Sequence, residues 1–464
     1  MLKRGEILTE LEVKQVVAEG NGLARHEGMV VFVKGALPGD IVDVELTTVK
    51  KDYAEARITQ IRVPSAFRRT PMCQHFGTCG GCKWQNATYE GQLAFKTHII
   101  QEALVRIGKL KIDKVAPIMG VDDEFHYRNK MEYTFSDRAW LTIDQIASGD
   151  EMDRRALGFH VAGAFAHVTT IERCLLQDEY TNTIRNTVFA FCKSQAYSFF
   201  DLKHKKGFLR NLVIRNTTLG EWMVTLVVGF EHEHINDIMA FILTEFPDIT
   251  SLNYIINPKR NDSTYDLEVI NYHGRDYIIE QLGNVRYKIS VQSFFQTNSR
   301  QARKLYDAAL SMAALKGDEV VYDLYTGTGS IALYLAKGCK KVVGIEQVSA
   351  AIEDAKFNAE MNNTDNASFH VGSVEDLLNE DFLNKHGRPD VVVTDPPRGG
   401  MHARVIEVFN QALPKKIIYI SCNPVTQARD IQLLSDNYSI KAIQPVDMFP
   451  QTFHVENIIV LERK

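Results

Sequence analysis

Cys422 stands in Ser421-Cys422-Asn423-Pro424, directly after the apolar run 417–421. Asn-Pro after it reads as the start of a helix, and a helix N-terminus draws a thiol toward the reactive thiolate. Glu456 closes Phe453-His454-Val455-Glu456, where either the glutamate or His454 could accept a proton. Asp395 opens Asp395-Pro396-Pro397-Arg398 at the end of another apolar run. Cys192 and Cys339 lie in apolar surroundings and read as packing residues.

A glycine loop supplies the partner chemistry. In Asp323-Leu-Tyr325-Thr-Gly327-Thr-Gly329-Ser-Ile-Ala332, a strand runs into glycines that let the backbone approach a ligand at a helix N-terminus. The spacing satisfies G-x-G-x-x-A, so a nicotinamide or flavin remains an alternative. Glu346, at the end of the next strand, is suited to the two hydroxyls of an adenosine ribose. Asp323 separates the readings: a carboxylate there would repel a pyrophosphate but favour the sulfonium and ammonium of S-adenosylmethionine. A thiolate beside a methyl donor points to pyrimidine C5. Addition of sulfur at C6 makes C5 nucleophilic, and a base must then remove the C5 proton so that the thiol can leave. Cys422 would be the nucleophile and Glu456 the proton acceptor, with Asp395 and Arg398 orienting the pyrimidine.

Cys73-x5-Cys79-Gly-Gly-Cys82 places three thiols within ten residues, and Cys174 stands apart in Ile171-Glu-Arg-Cys174. Zinc suits four thiolates, but zinc ribbons show two Cys-x2-Cys pairs and here there is one. Three clustered ligands and a remote one favour a [4Fe–4S] cluster, with zinc the alternative.

The elements that must position these groups follow from periodicity. Residues 6–62 alternate apolar and polar, with turns at Glu27-Gly28 and Pro38-Gly39-Asp40, and predict a small OB-like β-barrel. A helix is expected over 91–109, its stripe made by Ile100, Ala103, Leu104 and Ile107. Strands are expected at 209–215 and 221–228. From residue 301 onward, strands at 319–324, 341–346, 367–371, 391–395 and 417–421 alternate with helical segments, and two closing strands form an antiparallel hairpin. This is an α/β class I methyltransferase architecture: a Rossmann-like, seven-stranded sheet with one strand reversed. The 464 residues carry 53 Lys+Arg against 58 Asp+Glu, a net charge of −5, and 45% hydrophobic residues. Those values exclude a disordered or fibrous chain. No apolar run approaches the roughly 18 residues of a membrane span, and the charged start is unlike a signal peptide, so a cytoplasmic protein without membrane contact is expected. With net charge slightly negative, any nucleic-acid surface must be local; the densest basic stretch is 201–216.

Together these motifs resemble the RNA (uracil-5-)-methyltransferase family, and within it the iron–sulfur ribosomal RNA branch (RumA/RlmD-like), over nearly the whole chain. The resemblance implies a TRAM barrel over 1–65 that binds RNA, and a central α+β domain over 66–290 holding the cluster. It implies an S-adenosylmethionine-dependent methyltransferase domain over 291–464, with the helix 91–110 packing against it. It assigns Cys73, Cys79, Cys82 and Cys174 as cluster ligands. It places Phe294, Gln296, Tyr325, Asp323, Gly327, Gly329, Glu346, Ser373 and Asp395 on the donor side. Arg398, Asn298, Arg128, Lys130, Arg210 and Lys205 fall toward substrate or RNA. Ser373 stands where many relatives carry an acid, and Phe453 where histidine is common. The implied activity is C5-methylation of a uridine in 23S ribosomal RNA by a monomer. The alternatives are transfer RNA as substrate for the same chemistry, a non-catalytic RNA-binding iron–sulfur protein, and a nicotinamide oxidoreductase.

Overall fold

The computed structural model describes residues 2–464. Five strands between residues 7 and 63 close a barrel around Val13, Val31, Val42, Val44 and Leu46. A central seven-stranded sheet follows. Its strands Leu209–Asn216 and Trp222–Val228 pair antiparallel, as the sequence leads one to expect.

The C-terminal part of the chain forms a second seven-stranded sheet. Its strands are β1 (Val320–Leu324), β2 (Lys341–Glu346), β3 (Ala367–Val371), β4 (Val391–Thr394), β5 (Lys416–Ser421), β6 (Tyr438–Val446) and β7 (Glu456–Arg463). They lie in the order β3-β2-β1-β4-β5-β7-β6. β7 runs antiparallel to both β5 and β6 and is the one reversed strand. Side chains alternate between faces along each strand, as the pleat requires. Val321, Val342, Ile418 and Ile420 face one core, and Tyr322, Val343, Ile417 and Tyr419 face the other. Both faces are covered, which is why these strands read as continuous apolar runs.

Helix Tyr89–Glu102 starts at Thr88, whose side chain accepts from the Gly91 amide, and widens into a π turn over Ala103–Ile107. Ile100 and Leu104 are buried against that sheet beside Ala428 and Ile431, although they precede β1 by more than two hundred residues. The expected stripe ends early. Ile107 is exposed, because the wider turn shifts it off the buried face.

Candidate active site

At the carboxyl ends of β1, β4 and β5 and the start of β7 lies a cavity of about 960 Å³. Its wall includes Cys422, Asp395, Glu456 and Arg398. Phe294, Gln296, Tyr325, Gly327, Glu346 and Ser373 line the same cavity. One pocket thus brings together the nucleophile, base and donor-side candidates from seven separate stretches of chain.

The donor side is built by the glycine loop. Asp323 Oδ2 accepts from the Thr326 hydroxyl (2.5 Å) and the Ala332 amide (2.9 Å), closing the turn. Its other oxygen, and the Thr328 hydroxyl, are buried without a partner. Glu346 is aimed by the amides of Gly327 (3.1 Å) and Val348 (3.0 Å). Tyr325 holds φ +64°, a strained value for a bulky residue. Gly329 has φ +76°, and a Cβ there would stand 3.0 Å from the Phe369 ring. Unpaired acceptors and an anionic lining fit a cationic nucleoside and suit S-adenosylmethionine better than a dinucleotide. Burial pushes Asp323 up to about 7, with Glu346 adding to the effect. Burial and Asp323 push Asp395 in the same direction.

Glu456 is 4% exposed; burial, then Asp395, raise it well above a normal carboxylate, while Arg398 opposes. Cys422 departs from expectation. A helix does begin at Pro424, capped by Asn423, but burial, Glu456 and Asp395 push the thiol up to about 11. The helix N-terminus does not outweigh burial beside two carboxylates.

Two assignments toward RNA are corrected by the packing. Arg210 is 1% exposed, and its guanidinium donates to the carbonyls of Asn257, Lys259 and Asn261 and to Asp262, so it pins a loop and cannot reach RNA. Asn298 caps helix Ser299–Ala313 through the Gln301 amide and donates to Met448 O, leaving neither side-chain group for substrate. Lys205 lies outside the cavity lining but is exposed in a turn of the central sheet, so packing does not bar it from RNA. Arg128 and Lys130 flank Asn129, which donates through Nδ2 to Gln296 O (3.0 Å) and the Ser299 hydroxyl (2.8 Å). The central motif therefore positions the donor-side segment. Arg215 does likewise, donating to Ser290 O and Ser293 O.

The four cysteines line a second cavity of about 230 Å³, with Arg128 and His75 in its wall. Among the described residues no group of three or more His, Cys, Asp or Glu is placed to hold a metal ion. The thiols surround a space rather than converge on a point. Burial pushes Cys79 up to about 11 and Cys82 up to about 12, and the neighbouring cysteines add to both.

Sequence reasoning missed what joins the two cavities. Gln451 is buried at φ +69°, and its carbonyl accepts from the amides of Lys83 (2.8 Å) and Trp84 (3.0 Å), next to Cys82. Its amide donates to Gln92 (2.7 Å), and its side chain meets Arg69, Gln92 and Glu124. Two residues from Gln451, Phe449 caps the buried pair of Lys96 and Asp447 (2.5 Å). The signal available was the run Asp447-Met-Phe-Pro-Gln-Thr-Phe-His454, polar and aromatic just ahead of Glu456.

The family model for tRNA (uracil-5-)-methyltransferase matches residues 220–464, and that for the TRAM domain matches residues 5–59. An RNA methyltransferase of Bacteroides thetaiotaomicron is 47% identical over 452 residues, covering 96% of this chain and 100% of its own. One from Porphyromonas gingivalis is 45% identical, covering 98% and 99%. The crystal structure of Pyrococcus abyssi tRNA (uracil-54, C5)-methyltransferase in complex with S-adenosyl-L-homocysteine has a TM-score of 0.74 at 28% identity, covering 97% of this chain and 100% of that one. The chain belongs to the tRNA (uracil-5-)-methyltransferase family and is an S-adenosylmethionine-dependent RNA methyltransferase.

Proposed function

We propose that the protein methylates C5 of a uridine in 23S ribosomal RNA through a covalent adduct on Cys422. The observation that carries this reading is the meeting of Cys422, Asp395 and Glu456 in one cavity with the anionic donor side. The donor supplies an electrophilic methyl on a sulfonium. Cys422 sulfur adds to C6, and the electron pair moves through C5 toward O4. C5 then takes the methyl, and Glu456 accepts the C5 proton. Elimination restores the C5–C6 double bond and expels the Cys422 thiolate. Asp395 faces the pyrimidine edge as a hydrogen-bond partner, and the target base must leave its stack to reach the sulfur. Phe294, 66% exposed at the rim, offers a stacking surface.

The ribosomal substrate is supported by the resemblance to the iron–sulfur branch. Transfer RNA is the second reading, favoured by the likeness to the Pyrococcus abyssi enzyme, whose match covers 97% of this chain. A match of that extent takes in the barrel region, so the barrel does not discriminate between the two substrates. For the cysteine cavity we propose a [4Fe–4S] cluster held by Cys73, Cys79, Cys82 and Cys174. Cys174 is buried and the other three are half-buried. Burial, then the neighbouring thiols, raise Cys79, Cys82 and Cys174, a strain that a cationic centre in the cavity of about 230 Å³ they line would relieve. Anaerobic protein that is brown and releases iron and sulfide supports it; colourless protein releasing zinc overturns it.

The deciding experiment incubates the full chain with total RNA and methyl-labelled donor. Label in 23S RNA as 5-methyluridine, lost in Cys422→Ala, is expected. Label confined to transfer RNA overturns the substrate, and full activity of Cys422→Ala overturns the covalent scheme.

A further inference from the structure

Strand Tyr277–Leu282 turns Ile278, Glu280 and Leu282 inward, and Glu280 is fully buried between the two apolar residues. A carboxylate at such a position is costly unless hydrogen-bond donors meet it. Its Oε1 accepts from the Thr218 hydroxyl and the Gln281 amide (2.8 Å), and the Thr218 amide lies 3.2 Å from both oxygens. Its Oε2 accepts from the Ser299 hydroxyl (2.5 Å). Thr218 belongs to the turn between strands Leu209–Asn216 and Trp222–Val228, and Ser299 opens helix Ser299–Ala313. One buried side chain thus ties the central sheet to the C-terminal part of the chain, and the covalent mechanism gives it no task.

Ser299 passes the contact on toward the cavity. Its one hydroxyl hydrogen is committed to Glu280, which leaves its oxygen as an acceptor, and Asn129 Nδ2 donates to it (2.8 Å). The same Nδ2 donates to Gln296 O (3.0 Å), and the backbone amide of Asn129 donates to Thr297 O (2.8 Å). Gln296 lines the cavity from the segment 291–298, which has neither helix nor strand to hold it, so its place depends on such contacts. The direction of each hydrogen bond follows from Glu280. Four donors converge on its two oxygens, so the Ser299 hydroxyl must point to it, and the Asn129 side chain must turn its nitrogen toward Ser299 and Gln296. A flipped amide would set Asn129 Oδ1 against the Gln296 carbonyl, acceptor against acceptor.

We propose that Glu280 is a positioning residue for the methyl donor: through Ser299 and Asn129 it fixes where Gln296 stands in the cavity. The inference rests on the reading that Gln296 touches the donor. Glutamine in place of Glu280 would offer an N–H to the Ser299 oxygen. The Ser299 hydroxyl hydrogen would then be free to turn toward Asn129, and the polarity that holds the Gln296 carbonyl would be lost. Alanine in place of Ser299 breaks the same link without touching a charge.

The test measures binding of S-adenosylmethionine by calorimetry in the full chain without RNA. Glu280→Gln and Ser299→Ala are each expected to weaken it by about three- to tenfold, the worth of one hydrogen bond. Gln296→Ala gives the size of the contact through which they act. Adding either variant to Gln296→Ala should cost nothing further, whereas a general loosening of the fold would add its own loss. In turnover the donor KM should rise in both single variants, while kcat at saturating donor and the KM for RNA keep the parent's values. Where loss of the charge at Glu280 unfolds the chain, Ser299→Ala, which removes only a hydroxyl, decides. Parental donor affinity in folded Glu280→Gln or in Ser299→Ala overturns the proposal, as does a loss that adds in full to that of Gln296→Ala. If Gln296→Ala itself binds the donor like the parent, the reading of Gln296 as a donor contact fails, and the proposal falls with it.

Discussion

Replacing Lys96 by methionine keeps the length of the side chain and removes its charge. Lys96 and Asp447 are both fully buried, and Lys96 Nζ donates to Asp447 Oδ1 (2.5 Å) and Phe449 O (3.0 Å). Without it Asp447 retains only the Tyr89 hydroxyl (2.9 Å) and the Phe449 amide (3.2 Å). Removing one partner of a buried pair costs about 3–5 kcal/mol. The cost falls on residues 447–455, whose other anchors lie on separate parts of the chain. At about 1.4 kcal/mol per tenfold, opening of that segment becomes two to three orders of magnitude more frequent. Hydrogen exchange resolved by mass spectrometry should report this in the 447–455 peptide and leave strand Trp222–Val228 unchanged, while kcat/KM falls. The double variant Lys96→Met, Asp447→Asn removes the stranded charge; the new amide oxygen can accept from the Phe449 amide while its nitrogen donates to the Tyr89 oxygen, so it should recover much of the loss. A single variant with parental exchange, or a double variant no better than the single, would refute the reasoning.

Gly329→Ala should weaken donor binding at least tenfold in calorimetry and cost about 1–2 kcal/mol in urea unfolding, because φ is +76° and the new Cβ meets Phe369 and Ala355. Donor affinity should rise with pH across about 7, as Asp323 and Asp395 lose their protons, and S-adenosylhomocysteine, lacking the sulfonium charge, should vary less. The same raised carboxylates make the donor-free fold bind more protons than the unfolded chain between about pH 4 and about pH 7. Its melting temperature should therefore fall as pH rises through that window. Arg210→Ala should cost about 3 kcal/mol of stability and leave RNA affinity of the folded protein unchanged in filter binding, since its guanidinium is spent on internal carbonyls.

The catalytic sheet was legible because its strands are buried on both faces and separated by amphipathic helices, so the β and α periods alternate cleanly. Cys422 and Asp395 were legible for the same reason, each following an apolar run, and such ends share one edge of a doubly wound sheet; Glu456 opens the reversed strand β7, whose start falls on that same edge. Electrostatics was not. The state of Cys422 depends on Glu456 and Asp395, which are distant in sequence, and the local helix start pointed the other way. Arg210 lies in a basic stretch that reads as surface, yet its strand is covered on both faces and gives it no route to solvent. Asn298 matched a motif, but its side chain is consumed by capping a helix. The links through Gln451 and Lys96 join residues more than three hundred positions apart, and no local pattern encodes them.

The early helix that completes the catalytic core sets an order of events during synthesis. Ile100 and Leu104 leave the ribosome more than two hundred residues before β1 exists to receive them. At roughly 5–20 residues per second, their apolar stripe waits on the order of tens of seconds for its partners. Barrel and central sheet can fold in that interval, whereas the methyl-transfer half cannot close until translation is nearly done. A fragment cut just ahead of β1 would leave behind a piece of its own interior, so excising that half should yield a sticky, incompletely packed product.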